Sequence, residues 1–256
     1  APQPEPPRRL GGALGAASDP SGVGGGCPPV SIPASLLPPH MVWSILHTMQ
    51  RQERGQGLGS PGTPPCWPPG FAPLDRSTLM DLVIGLATQL TLNDCTLHLA
   101  GRIIDGYLTR QEKPVTADQL QVIGATCLKI ADVFAEQSKE YYKQENAVEY
   151  ADAAQNLSPR FRATSEQMLA CEKDVLPRLN FDLHLPTAHW FLQCYLAYAR
   201  FTSTGSVART SAFLADLTLL DHELLQYPSS LRAQCVMVLA VLVAQQARHR
   251  RPAARA

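Results

Sequence analysis

Residues 116–136 read TADQLQVIGATCLKIADVFAE, and this stretch decides the fold. Leu120, Ile123, Cys127, Ile130, Ala131 and Phe134 recur at spacings of three and four, which gathers them on one face of an α-helix. Thr116 followed three positions later by Gln119 is a capping box, in which each side chain satisfies a backbone N–H of the other residue. Most of the remaining positions are small or apolar, so this helix is expected to be central and the most buried element of its lobe.

The same period extends in both directions. Upstream, Leu79, Leu82, Val83, Leu86 and Leu90 form one stripe, with Asp75 or Ser77 placed to satisfy the free N–H groups of the first turn. Asp94 is expected to cap a second helix with Leu97, Gly101, Ile104 and Leu108 on one face, where Gly101 permits close helix approach, and Pro114 is expected to end it. A shorter helix is expected from Met41 to Met49, separated from this body by the Pro/Gly-rich stretch Gly55 to Pro73. Downstream, the polar stretch Gln137 to Phe161 has room for one short helix before Ser158-Pro159. A second capping box, Thr164 with Gln167, opens a helix through Leu179 that Pro177 is expected to kink or end. Thr187 caps a further helix, Ser206 to Leu220 forms another with Phe213, Leu214 and Leu217, and Ser229 or Ser230 caps the last, Leu231 to Gln246. No segment alternates like a strand, so the class is all-α.

Composition bounds the function. The 256 residues are 45% hydrophobic and carry 22 basic and 22 acidic side chains, which removes any global pull toward nucleic acid or an anionic membrane. Seven cysteines, none in a CxxC pair, indicate neither a disulfide framework nor a zinc site, and fit a reducing compartment. The run Val236 to Val243 is far shorter than the ~20 apolar residues of a membrane span and reads as a buried helix. The N-terminus lacks the basic-then-apolar pattern of a signal peptide, so an intracellular protein is expected, and the absence of an initiator Met leaves the true start open. Residues 1–39 are dominated by Pro and Gly and are expected to form a disordered arm.

These residues carry a resemblance. TLMDLVIGLATQLTLNDCTLHLAGRIIDGYL, LQVIGATCLKIADVFAE and CEKDVLPRLNFDLHLPTAHWFLQCYL are similar, in order, to the N-terminal box of the cyclin family and the start of its second box, over about Met41 to Gln246. The resemblance implies a cyclin fold. Its parts would be an N-terminal helix and linker (40–73), a five-helix N-terminal box (74–184), a partial C-terminal box (185–247) and a basic tail (248–256). It also implies a regulatory subunit that binds a cyclin-dependent serine/threonine kinase and regulates it in the cell cycle, in the nucleus and/or cytoplasm. The ends of the third and fifth box helices would dock on the kinase's regulatory helix, and catalytic residues would sit on the kinase.

Carried over by position, the resemblance places Ile130, Phe134, Leu176, Leu183 and Glu172 at kinase contacts. Val133 replaces the usual lysine, and Ala135 replaces the first of two glutamates, of which Glu136 remains. Losing a charge-assisted hydrogen bond worth about 1.5–3 kcal/mol would weaken docking by tenfold or more. The substrate-recruitment patch departs further. Asp75, Thr78 and Leu82 stand where many cyclins carry Met, Ile and Trp, while Arg76, Leu79 and Gln121 match, so this groove is expected to be weak or inactive. Arg76 and Asp105 occupy the positions of the family's internal salt bridge, a structural role.

Simpler readings stand beside these. On periodicity alone Ile130, Phe134, Leu176 and Leu183 are core residues and Glu172 is a solvated helix residue. Two function classes compete with kinase activation: a cyclin-fold protein that occupies a partner without activating it, and a transcription-factor-type cyclin fold that grips DNA. Zero net charge and the lack of a strongly basic helix argue against DNA. His184 and His189 lack metal-ligand spacing, and Cys127 and Cys171 lie in apolar stripes without a positioned base. No catalysis, metal, cofactor, small-molecule substrate or membrane association is therefore expected. Arg248, Arg250, Arg251 and Arg255 form a short basic tail that reads as solvated or as a weak localisation signal.

Overall fold

The structure is a computed structural model and describes residues 37–55, 65–135, 145–158, 161 and 163–249. The expected disordered arm through residue 36, Glu136, Tyr141, Tyr142 and the tail beyond residue 249 lie outside the described residues. Among the described residues the regular structure is entirely helical: α1 (Pro39–Gly55), α2 (Pro73–Gln89), α3 (Asp94–Leu108), α4 (Ala117–Ala135), α5 (Glu145–Leu157), α6 (Ser165–Arg178), α7 (Ala188–Tyr198), α8 (Ser206–Leu220), a short 3-10 turn (Glu223–Gln226) and α9 (Ser229–His249).

Two apolar cores result. In the first, α4 touches α2, α3, α5 and α6. Both capping boxes form: Gln119 N–H donates to Thr116 Oγ1 at 3.3 Å while Thr116 N–H donates to Gln119 Oε1 at 2.9 Å, and Thr164 with Gln167 repeats this arrangement. Leu120, Ile123, Cys127 and Ile130 are all buried as the period predicts. A Cβ on Gly124 would stand 2.6 Å from Leu79 Cδ1, so glycine is what lets α4 lie so close to α2. Gly101 plays the same part for α3, where a Cβ would lie 3.3 Å from Leu219 Cδ2 of α8.

The expectation that α4 is the most buried element is corrected. In α3, 12 of 15 residues are buried, against 11 of 19 in α4. The reason is position: α3 is covered by α4 and α2 on one side and by α7 and α8 of the second core on the other. Helix ends differ too. Asp94 is the first helical residue of α3 and Asn93 occupies the cap position with no side-chain hydrogen bond to the helix start, and the helix stops at Leu108, well before Pro114. Asp75 does serve the start of α2, its Oδ2 accepting from Ala72 N–H at 2.8 Å. Pro177 sits in the last turn of α6, which ends one residue later.

The second core joins α7, α8 and α9 to α1, whose Val42, Leu46 and Met49 lie at spacings of four and three and pack with Phe191, Leu192, Ala233, Val236 and Ala240. The N-terminal helix thus belongs to the second lobe, although the first lobe follows it in sequence. Glu53 fixes this return: Ser230 N–H and Oγ donate to its carboxylate at 3.1 and 2.5 Å. The serines expected to cap α9 are instead its first two helical residues, and the Glu53 carboxylate of α1 accepts from the N–H and Oγ of Ser230 in that turn.

One expectation about this lobe is overturned. The run Val236 to Val243 is not a buried helix: Val236 and Ala240 are buried, but Val238, Leu239, Leu242 and Val243 are exposed. On α8, Phe213 and Leu217 are exposed as well. An apolar stretch longer than one helical stripe cannot all face a core built on one side. Ser229–Ala247, 19 residues of mean hydropathy 1.3, also has the length and apolar character of a membrane-crossing helix. Its packing on α7 and α8 makes it a lobe helix here.

Candidate protein-docking face

The C-terminal half of α4 and the end of α6 lie side by side. Lys129 Nζ on α4 donates to Glu172 Oε2 on α6 at 2.7 Å. Lys129 is buried and Glu172 half-buried, so Glu172 is not the solvated residue that periodicity alone suggested. One turn beyond Lys129, Val133 is 38% exposed, which removes it from the core. Phe134 and Leu176 are half-buried at the edge of the core, and the Phe134 ring meets His184 edge-on at 5.1 Å. Ile130 and Leu183 are buried in the first core.

A further residue escaped sequence reasoning. Phe181, just past α6, is 67% exposed. It and Asn180 both adopt left-handed backbone, φ +56° and +52°, and Phe181 N–H closes the turn on Leu176 C=O at 2.9 Å. A bulky residue held there is strained by about 1–3 kcal/mol, and this hook turns the aromatic ring outward. The available signal was an asparagine directly after a Pro-terminated helix, a left-handed cap in which the next residue need not face inward. Lys129 was also missed, because on an apolar helix it reads as a solvated exception.

Below this face Tyr107 of α3 ties down α6, its hydroxyl donating to Asp174 Oδ2 at 2.6 Å, and Arg178, one turn further along α6, donates from Nε to the same carboxylate at 3.0 Å. Desolvation opposes ionisation of Asp174, but the hydrogen bonds from Tyr107 and Arg178 prevail and hold its carboxyl below the usual range. Burial pushes the Cys171 thiol up to about 11 and that of Cys127 well above the usual value, so neither is an activated nucleophile.

The second candidate patch, on α2 and α4, is not assembled as one surface. Arg76 and Leu79 are buried. Arg76 Nε and Nη2 donate to the two Asp105 oxygens at 2.8 and 2.9 Å, the expected bridge between α2 and α3. Asp75 is occupied at the helix start, Thr78 is exposed with its hydroxyl on Leu74 C=O, and Leu82 and Gln121 are half-buried. Leu74, not considered from sequence, is the exposed apolar residue of this end of α2.

Two helical lobes in this order, with an exposed apolar edge where α4 meets α6, define a two-lobed all-α fold. The chain belongs to the cyclin family: residues 44–184 match the description "Cyclin, N-terminal domain" and residues 186–251 match "Cyclin, C-terminal domain". It is 30% identical over 185 residues to Cyclin-A1-3 of Oryza sativa subsp. japonica, covering 69% of this chain and 34% of that protein. It is 32% identical over 165 residues to Cyclin-B2-2 of Arabidopsis thaliana, covering 64% and 35%. The chain thus spans about a third of the length of these relatives. Among solved structures, a viral cyclin from herpesvirus saimiri aligns with TM-score 0.63 over 78% of this chain and 82% of that one; at 17% identity this shows the fold.

Proposed function

We propose that this chain is a regulatory subunit of a cyclin-dependent serine/threonine kinase acting in the cell cycle, without catalytic activity, cofactor or small-molecule substrate of its own. The observation that carries the reading is the face formed by Val133, Phe134, Leu176 and Phe181 beside the Lys129–Glu172 pair, an apolar footing with one ion pair at its margin. Such a mixture suits a helix of a partner that brings apolar side chains and exposed backbone carbonyls. Within the family we read the chain as a divergent member most like the cyclin P type, working in the nucleus and/or cytoplasm. The departures at Val133, Asp75 and Thr78 support the reading of a divergent member.

One observation favours a second reading, a regulator that binds a kinase without activating it. With Val133 at the lysine position, the nearby cation is Lys129, which is buried and committed to Glu172. Affinity purification of the tagged chain, identification of bound kinases and a phosphorylation assay on the eluate test both readings. A copurified active kinase supports the first, a copurified inactive one the second, and failure to recover any cyclin-dependent kinase refutes both.

A further inference from the structure

Between the two lobes lies a narrow cleft whose lining includes Arg76, His98, Arg102, Asp105, Thr187 and Arg232. Three of these are arginines and one is a carboxylate, and that carboxylate is already used on both oxygens by Arg76. The Arg76 Nη1 is used as well, donating to Leu219 C=O at 2.6 Å. Glu53, the other acid whose field reaches Arg102 and Arg232, is engaged by Ser230. His98 faces Asp216, with Nε2 3.1 Å from Oδ1.

Arg102 and Arg232 are left without a matching anion. The Nε of each is buried with no hydrogen-bond partner, although Arg232 is only 7% exposed and its Nη2 reaches no more than the Ser229 hydroxyl at 3.0 Å. Burial, together with the neighbouring Arg102 guanidinium, pushes Arg232 down to about 10, as crowding of unmatched cations requires. Buried guanidinium groups are ordinarily paired, because removing a charge from water without a partner is strongly unfavourable.

We propose that this cleft is a binding site for a small oxyanion of the phosphate or sulfate class, held by Arg102 and Arg232 where the two lobes meet. The interior, about 10 Å³, has room for one water-sized group, so an anionic oxygen enters and the rest of the ion sits at the mouth. The planar forks of two guanidiniums suit such an oxygen better than a halide. Arg102 comes from α3 and Arg232 from α9, so an occupied cleft ties the lobes together. The inference does not depend on kinase binding. A free ion and a phosphorylated side chain share this chemistry.

The test is thermal unfolding of the full chain in sodium phosphate or sulfate against sodium chloride at equal ionic strength. A saturable rise of roughly 2–4 °C is expected in the oxyanions. In Arg102→Met and Arg232→Met the rise should vanish, leaving only the linear increase that excluded salts give any protein. Should a variant fail to fold, broadening of the phosphate ³¹P line by the unaltered chain, reversed by sulfate but not by chloride, reports binding directly. A short phosphoserine peptide separates the sources: a larger shift than phosphate identifies a phosphorylated side chain, an equal or smaller one the free ion. Identical melting in phosphate and chloride, or a saturable shift that survives in both variants, overturns the proposal.

Discussion

The Lys129 ammonium of α4 meets the Glu172 carboxylate of α6 at 2.7 Å, directly beside the exposed Val133. This pair couples the two helices that form the proposed docking face, and it makes Glu172 a structural residue as well as a surface charge.

Glu172→Arg is therefore expected to act on stability and binding together, since it sets a second cation against the partly buried Lys129. We expect a loss of about 1–2 kcal/mol in thermal or urea unfolding and reduced recovery of a cyclin-dependent kinase in pull-down. Val133→Lys is expected to melt normally, because Val133 is exposed, and to increase kinase recovery by tenfold or more if the new ammonium reaches partner carbonyls. Unchanged recovery with both variants folded would remove this face from the interaction.

Arg76 and Asp105 should respond unequally. Asp105→Asn leaves Arg76 buried beside Arg102 and Arg232 with no carboxylate, and is expected to cost about 3–5 kcal/mol. Arg76→Met is expected to cost less, because Asp105 then faces the two remaining guanidiniums. Equal losses in denaturant titrations would contradict that electrostatic picture.

On α9, position decides tolerance. Val238→Glu and Leu242→Glu lie on the exposed face and are expected to change stability by no more than about 0.5 kcal/mol. Ala240→Glu places a carboxylate in the second core and is expected to unfold that lobe. Circular dichroism melts of the three variants check the assignment, and destabilisation by Val238→Glu would show that the face is covered.

His189 supplies the acid sensitivity. Burial first, and the His98 ring 5.3 Å away, push it down to about 3, while Asp216 acts in the opposite direction and Gln193 Nε2 lies 3.3 Å from its Nε2. The unfolded chain then binds a proton that the folded chain refuses. Stability from this group is whole above pH about 6.5 and falls by about 1.4 kcal/mol per unit as pH drops toward 3. His189→Gln should flatten the slope of unfolding free energy against pH between 6 and 4; an unchanged slope would assign the effect to other groups.

What the sequence determined on its own is whatever local periodicity and end chemistry can specify. The stripe from Leu120 to Phe134 and the boxes at Thr116 and Thr164 act over one or two turns, so helix positions and the all-α class were legible without knowing any neighbour. The Arg76–Asp105 bridge was legible only through family resemblance. The tertiary structure alone decided which apolar residues face a core. Val133 and Phe134 are adjacent in one helix yet differ in exposure, and Ile130, on the same helix, is buried. It also decided that α1 crosses to the second lobe, that Glu53 reaches Ser230 across 177 positions, and that Arg102 and Arg232 converge on a cleft whose one carboxylate, Asp105, is taken on both oxygens by Arg76. Such relationships depend on how whole helices are placed. Packing of distant segments sets that placement, and no local run of residues encodes it.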